Sequence, residues 1–183
     1  MTVMGFCLTM TSGLDQMSLD ISLYCGEEYK EEVKKGSPDS WIEVGIVANE
    51  TVICGDPEVE SGLTGYACGV QFDLLDAVEA VYSDQIGVIE FEFGPDWIVF
   101  EPTSEDAVNV AKSTTYSGLE DSEARLAIDP SAVVTKTAVR IEVLETVQLF
   151  IENISEIDPE ILNHNTVSEL ERKLKDVREN TGE

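Results

Sequence analysis

Short runs in which every second residue is apolar recur along the chain, and this period of two predicts β-strands. The clearest run is Trp41–Ala48, whose apolar positions would share one face of a strand. The turn Gly94-Pro95-Asp96 joins two further runs into a predicted hairpin. The other predicted strands are residues 19–25, 50–55, 66–72, 87–93, 97–100, 105–113 and 123–128.

Apolar residues at helical spacing predict three helices. The first covers residues 73–84 with Asp73 as its N-cap, and the longest covers residues 137–156. The capping box Thr166-Val167-Ser168-Glu169 opens the last helix, which runs to about Arg178. Antiparallel hairpins with helices between them predict the α+β class: a mainly antiparallel curved sheet packed against one long helix plus one or two shorter helices.

Three parts follow from these patterns. Residues 1–16 are mildly apolar, and we expect a flexible N-terminal extension there, with Met17 as an alternative start. Residues 17–157 would form the α+β domain and residues 158–183 the C-terminal helix. A chain of 183 residues suffices for one hydrophobic core.

Several landmarks recur at an offset of 56 residues, which suggests two related β-β-β-α halves. The paired landmarks are Trp41-Ile42 with Trp97-Ile98, Ser61-Gly62-Leu63 with Ser117-Gly118-Leu119, and Asp73 with Asp129. Most other aligned positions differ, so chance similarity remains the alternative interpretation.

The chain is strongly acidic, with 37 Asp and Glu against 11 Lys and Arg and a formal charge of −26. Because the acidic residues are spread evenly, we interpret the charge first as adaptation to a salt-rich cytoplasm, where the Debye length falls to about 3 Å at 1 M salt. Mimicry of nucleic acid, or binding to a basic protein, is the alternative. Binding to nucleic acid or to an anionic membrane requires a strong excess of clustered Lys and Arg, so neither is an expected partner of so acidic a chain.

Candidate chemistry is sparse. The four cysteines form no C-x-x-C pair and are expected to be free thiols in a cytoplasmic protein. His164 is the single histidine and lies in a predicted loop. No nucleotide-binding, nucleophile-elbow or zinc-protease motif occurs, so we expect no catalytic residue, no cofactor and no metal.

Two pairs of residues are candidates for binding a partner protein. Trp41 and Trp97 each begin a predicted strand after a turn, and exposed tryptophans are common interface anchors, although anchoring the core is the alternative. Arg172 and Lys175 belong to a cationic cluster in the last helix. They would either dock that helix on the acidic body or form a homo-oligomer contact.

From Trp41 to about Ile154 the chain resembles the WapI-type immunity proteins, small α+β proteins encoded beside bacterial polymorphic toxins. The likeness lies in the order and spacing of five short landmarks. They are Trp41-Ile42, Phe72-Asp73-Leu74-Leu75, Gly87-Val88-Ile89-Glu90-Phe91, Trp97-Ile98 and Ile128-Asp129-Pro130-Ser131. The resemblance implies a non-catalytic protein that binds another protein, and it assigns no individual binding residue.

Three functional hypotheses remain open on the sequence. The first is a non-catalytic protein-binding domain, immunity-like and adapted to high salt, that neutralises a partner protein. The second is a structural or assembly protein that forms a homo-oligomer or a particle component. The third is an enzyme with a carboxylate site, for which a deep pocket holding a close carboxylate pair would be the sign.

Overall fold

The computed structural model describes residues 17–182, so the predicted N-terminal extension lies outside the described residues. Within that range the α+β class is confirmed, with antiparallel strands throughout and four α-helices. The strands divide into two four-stranded sheets. In the first sheet these are β1 (Leu19–Tyr24), β2 (Trp41–Ala48), β3 (Thr51–Cys54) and β4 (Leu63–Tyr66).

The first sheet is built around β2. Strand β1 pairs with residues 43–48 of β2 on one side. On the other side β4 pairs with the beginning of β2, where Trp41 lies opposite Tyr66, and β3 pairs with its end. The residues of β2 that face the helices are fully buried: Ile42, Val44, Ile46 and Ala48.

The second sheet has its strands in chain order. They are β5 (Gly87–Glu90), β6 (Trp97–Pro102), β7 (Ala107–Ser113) and β8 (Ser131–Thr135). One backbone hydrogen bond connects the two sheets, because Glu92, just after β5, donates its N–H to the carbonyl of Thr64 in β4 at 3.2 Å.

Four helices cover the sheets in two layers. They are α1 (Glu27–Lys34), α2 (Ala67–Tyr82), α3 (Lys136–Ile157) and α4 (Asn165–Asn180). Helix α2 lies against β5, α3 lies against β1 and β8, and the two helices touch each other. Helix α4 packs across both from outside through one apolar stripe: Val167, Leu170, Leu174 and Val177. No helix among residues 17–182 is both long and apolar enough to cross a membrane.

The prediction of a strand at 66–72 is wrong, because α2 already begins at Ala67. Its first turn is capped from a distance: the Asp39 carboxylate accepts the Cys68 N–H at 3.1 Å, where a local N-cap was expected at Asp73. The first turns of α2 are also buried on several sides, so their apolar residues do not form the stripe of a surface helix.

The predicted strand at 123–128 is also wrong. A 3₁₀ helix, Ser122–Ala124, occupies its start, and Ile128 is 85% exposed. The apolar alternation does not mark a buried face, because Leu126 and Ile128 are exposed, whereas the side chain of Arg125 is buried. The strand of this region is β8, which follows the Asp129-Pro130 turn.

The long helix and the last helix lie where the sequence predicted them. Helix α3 extends one residue beyond the prediction at each end. Helix α4 begins without the predicted capping box, because His164 is the N-cap and its Nδ1 accepts the Thr166 N–H at 3.3 Å.

The two halves share the order β-β-β-β-α, apart from α1 between β1 and β2 in the first half, and they share part of the 56-residue offset. Trp41 and Trp97 begin β2 and β6, and Thr51 and Ala107 begin β3 and β7. The later landmarks diverge, because a 17-residue connection, 114–130, precedes β8 and shifts the rest of the second half.

Candidate functional site

Three aromatic side chains form a continuous exposed surface at one end of the first sheet. The rings of Trp41 and Tyr66 are stacked with their centroids 4.0 Å apart, and the Phe93 ring lies 5.2 Å from Trp41. Trp41 and Tyr66 are each 40% exposed and Phe93 is 66% exposed. We call these three residues the aromatic surface.

Backbone pairing holds the aromatic surface in place. Trp41 and Tyr66 are direct cross-strand neighbours in the β2–β4 pair, where aromatic side chains on one face lie within contact distance. The hydrogen bond from Glu92 to Thr64 fixes the residue before Phe93 against β4. Both sheets therefore contribute to the surface, and its aromatic rings are ordered before any partner arrives.

A polar hollow of about 340 Å³ lies beside Trp41, between the end of β1, α1 and the loop before β4. Its charged walls are the carboxylates of Glu28, Glu43 and Glu60, and no described residue that lines it is basic. Glu43 is also held by the Gly62 N–H at 2.8 Å. An aromatic ring beside carboxylates is a favourable environment for a guanidinium or ammonium group.

Trp97 lies in a different environment from Trp41. It begins β6 opposite Glu90 and Ser113, and its side chain is half-buried. The rings of Trp97 and Tyr116 form a T-shaped pair with their centroids 6.4 Å apart. Tyr116 belongs to the connection 114–130. The sequence pattern predicts the same role for both tryptophans, whereas of the two Trp41 alone lies in a cluster of exposed aromatic rings.

Arg172 and Lys175 do not lie near the tryptophans. Both are exposed on α4, on the helix side of the molecule, whereas Trp41 and Trp97 lie on the strand faces turned away from the helices. Arg172 pairs with Asp176 at 3.0 Å and Lys175 with Glu179 at 3.8 Å, so both interact within their own helix. Lys173 is the cation that docks α4, through Asp76 and Glu79 of α2.

The cysteine thiols and the histidine imidazole of the described residues do not lie together in one site. Burial raises the pKa of the Cys54 and Cys68 thiols to about 12, so both stay protonated near neutral pH. His164 is exposed and occupied as a helix cap. Within residues 17–182, no three His, Cys, Asp or Glu side chains converge in an arrangement that could hold a metal ion.

Sequence reasoning missed Tyr66 and Phe93 as members of the surface. The sequence pattern predicts that Tyr66 begins a strand, whereas Tyr66 ends β4, so its pairing with Trp41 could not be inferred. Phe93 lies in the strand predicted over residues 87–93, but β5 ends at Glu90. The usable signal was the turn Gly94-Pro95-Asp96, because apolar residues next to a tight turn are frequently exposed.

No protein-family model, curated protein or solved structure matches this chain. The resemblance to the WapI-type immunity proteins therefore stays a prediction.

Proposed function

We propose that this chain is a non-catalytic protein-binding domain adapted to high salt, and that the aromatic surface is its partner-binding site. The observation that carries the proposal is the stacked, exposed cluster of Trp41, Tyr66 and Phe93. Large aromatic side chains at the centre of a surface contribute most of the binding free energy in many interfaces. An immunity-like role, in which the domain masks a toxin, is the specific form that we propose.

The charge around the aromatic surface defines the kind of partner. Glu28, Glu43 and Glu60 line the hollow beside Trp41, and the chain as a whole carries −26. A partner with basic residues at its contact would be attracted at long range in dilute buffer. In molar salt that attraction is screened, so the stacked rings must provide the affinity.

Capture from a native extract in 2–3 M KCl tests the proposal by comparing variants of the immobilised domain. We expect Trp41→Ala combined with Phe93→Ser to remove at least one stoichiometric partner that the wild type retains. Replacing hot-spot aromatics costs about 2 kcal/mol or more each, which is enough to lose a micromolar complex during washing.

The matched control is Tyr116→Ser, which removes an exposed aromatic ring, 75% accessible, from the second half. It should leave the captured partner unchanged. Circular dichroism must show that every variant is folded. The proposal fails if the wild type, the double variant and the control retain the same proteins in the same amounts.

A further inference from the structure

A groove on the helix side of the molecule runs between α3 and α4 and has a volume of about 530 Å³. Its α3 wall exposes two large apolar side chains, Ile141 at 46% and Leu149 at 56%. Two carboxylates, Glu145 and Glu152, lie on the same helix, and Arg178 of α4 faces the groove. Apolar and oppositely charged groups thus lie side by side.

This face is nearly neutral in a strongly acidic protein. Helix α4 carries four cations and four carboxylates, and α3 carries two cations and four carboxylates. The two helices together therefore contribute only −2 to the chain's charge of −26. Two copies of the chain repel each other least when they approach through these helices.

Arg178 has no ion-pair partner among the described residues, although it lies beside a groove with two carboxylates. The other cations on α4, namely Arg172, Lys173 and Lys175, each pair with a carboxylate of the described chain. A second copy would offer Glu145 and Glu152 to Arg178 and apolar side chains to Ile141 and Leu149. The face is thus complementary to itself in both charge and hydrophobicity.

We propose that the α3–α4 face is a self-association surface, through which two copies of the chain pair about a two-fold axis near Gln148. In a two-fold interface the residue nearest the axis meets its own copy. Gln148 lines both this groove and the adjoining one of about 160 Å³, so it lies near the centre. Being uncharged, it meets its copy without repulsion, and the aromatic surface on the strand side stays free.

Salt should strengthen this dimer. At 0.1 M salt the Debye length of about 10 Å lets the remaining charge of the two copies repel across the molecule, whereas at 1 M it is about 3 Å. The apolar contact of Ile141 and Leu149 is not weakened by the added salt. A dimer held mainly by ion pairs would show the opposite dependence.

Sedimentation velocity of the purified chain in 3 M KCl tests the proposal directly. We expect the wild type to be dimeric at tens of micromolar, and Leu149→Glu to raise the dissociation constant about tenfold or more, because a carboxylate would enter the apolar contact. The matched control is Ile128→Glu, at an apolar position that is 85% exposed in the second half. It should leave the dissociation constant unchanged.

A monomeric wild type in 3 M KCl would overturn the proposal. So would a dimer that Leu149→Glu leaves intact or that Ile128→Glu disrupts. If the face instead binds a different protein, the wild type will sediment as a monomer at every concentration.

A cysteine cross-link tests the position of the axis in a variant that carries Cys7→Ser and Cys25→Ser. Gln148→Cys should form a disulfide-linked dimer under mild oxidation, because a residue at the axis lies within bridging distance of its own copy. Ser131→Cys, exposed at the start of β8, is the control and should stay monomeric on a non-reducing gel. Equal cross-linking of the two variants would overturn the placement of the axis.

Discussion

A tryptophan begins the corresponding strand in each half of the molecule, but the two tryptophans lie in different environments. Trp41 and Trp97 each begin the strand that follows the first strand of its sheet, and the isoleucine after each is buried in the core. In the first half the tryptophan lies in an exposed cluster of aromatic rings. In the second half it is half-buried beside Tyr116.

The connection 114–130 accounts for the difference. It carries two 3₁₀ helices, Tyr116–Leu119 and Ser122–Ala124, over the outer face of the second sheet. Arg125 anchors it, since its Nη1 pairs with Glu101 of β6 at 2.8 Å and its Nε donates to the Gly118 carbonyl. Under this cover Val99 and Ala111 are fully buried, although neither belongs to the main core.

The first half has a shorter connection in the same place. Residues 55–62 return at once to β4, which pairs with β2 and leaves the outer face of that strand open. One strand start therefore leads to an exposed aromatic surface or to a covered sheet, according to the length of the segment that follows the hairpin. The repeated residues thus specify the strands, and the connections specify which outer sheet face stays exposed.

The largest expected effect comes from the repeated glycines within these connections. A Cβ at Gly62 would overlap the backbone of Val44 in β2, whereas a Cβ at Gly118 would meet the side chains of Ser113, Thr115 and Arg125. Because a paired strand cannot move aside, Gly62→Ala should lower the free energy of unfolding by about 3 kcal/mol and Gly118→Ala by about 1–2 kcal/mol. Urea denaturation in 3 M KCl measures both, and equal losses would contradict the argument.

The next largest effect concerns Arg125, which anchors the connection 114–130 over the outer face of the second sheet. Arg125→Met would leave Glu101 without its buried partner and should lower the free energy of unfolding by about 2–3 kcal/mol. Trp97 fluorescence in the folded variant should shift to the red as the connection loosens.

The matched control lies in the first half. Lys30→Met removes the Lys30–Glu27 ion pair on the surface of α1, where both side chains are well exposed. It should leave the free energy of unfolding nearly unchanged, because solvent screens an ion pair this exposed. If both variants lose the same amount, Arg125 does not anchor the connection.

Local patterns sufficed for the elements whose signals are local. The strand at Trp41–Ala48 and the helix at Lys136–Ile157 have unbroken periodicity, and the structure agrees with both to within a residue. The start of α2 was missed because its cap, Asp39, is 29 residues away from Cys68. No window of the sequence can show a cap contributed by a different turn.

The candidate site depended on pairings that single-strand patterns do not contain. Trp41 was selected correctly as an exposed aromatic residue, but its neighbours follow from the β2–β4 register and from the contact of Glu92 with Thr64. Likewise, the sequence does not show that Trp97 is more buried than Trp41. Arg125 anchors the connection beside Trp97, but in the sequence it has the pattern of a solvent-facing strand residue.

The smallest expected effect concerns Asp73 and Asp129, the third repeated pair. Asp73 lies half-buried in α2, and burial, with added repulsion from Asp76 and Glu90, raises its pKa to about 6 despite a hydrogen bond from the Glu90 N–H. Asp129 instead organises the connection, since its carboxylate accepts the N–H groups of Thr114 and Leu126.

The sign of the pH effect follows from proton uptake by the folded state. Because the pKa of Asp73 is higher in the folded chain than its ordinary value of 3.8, the folded state binds more protons between about pH 4 and pH 6. The charged carboxylate of Asp73 therefore destabilises the fold above pH 6. This cost falls progressively as Asp73 takes up a proton between about pH 6 and pH 4.

Asp73→Asn removes this dependence and should stabilise the fold at pH 7.5 by about 1 kcal/mol, a value reduced for partial solvent screening, while giving no gain at pH 4. Urea titrations at both pH values in 3 M KCl, where general charge repulsion is screened, measure the difference from the wild type. Asp129→Asn at the repeated position should instead destabilise the fold at pH 7.5, because it weakens the acceptor of the Thr114 and Leu126 N–H groups. If Asp73→Asn shifts stability equally at both pH values, burial of a charged carboxylate in α2 is not what separates the two aspartates.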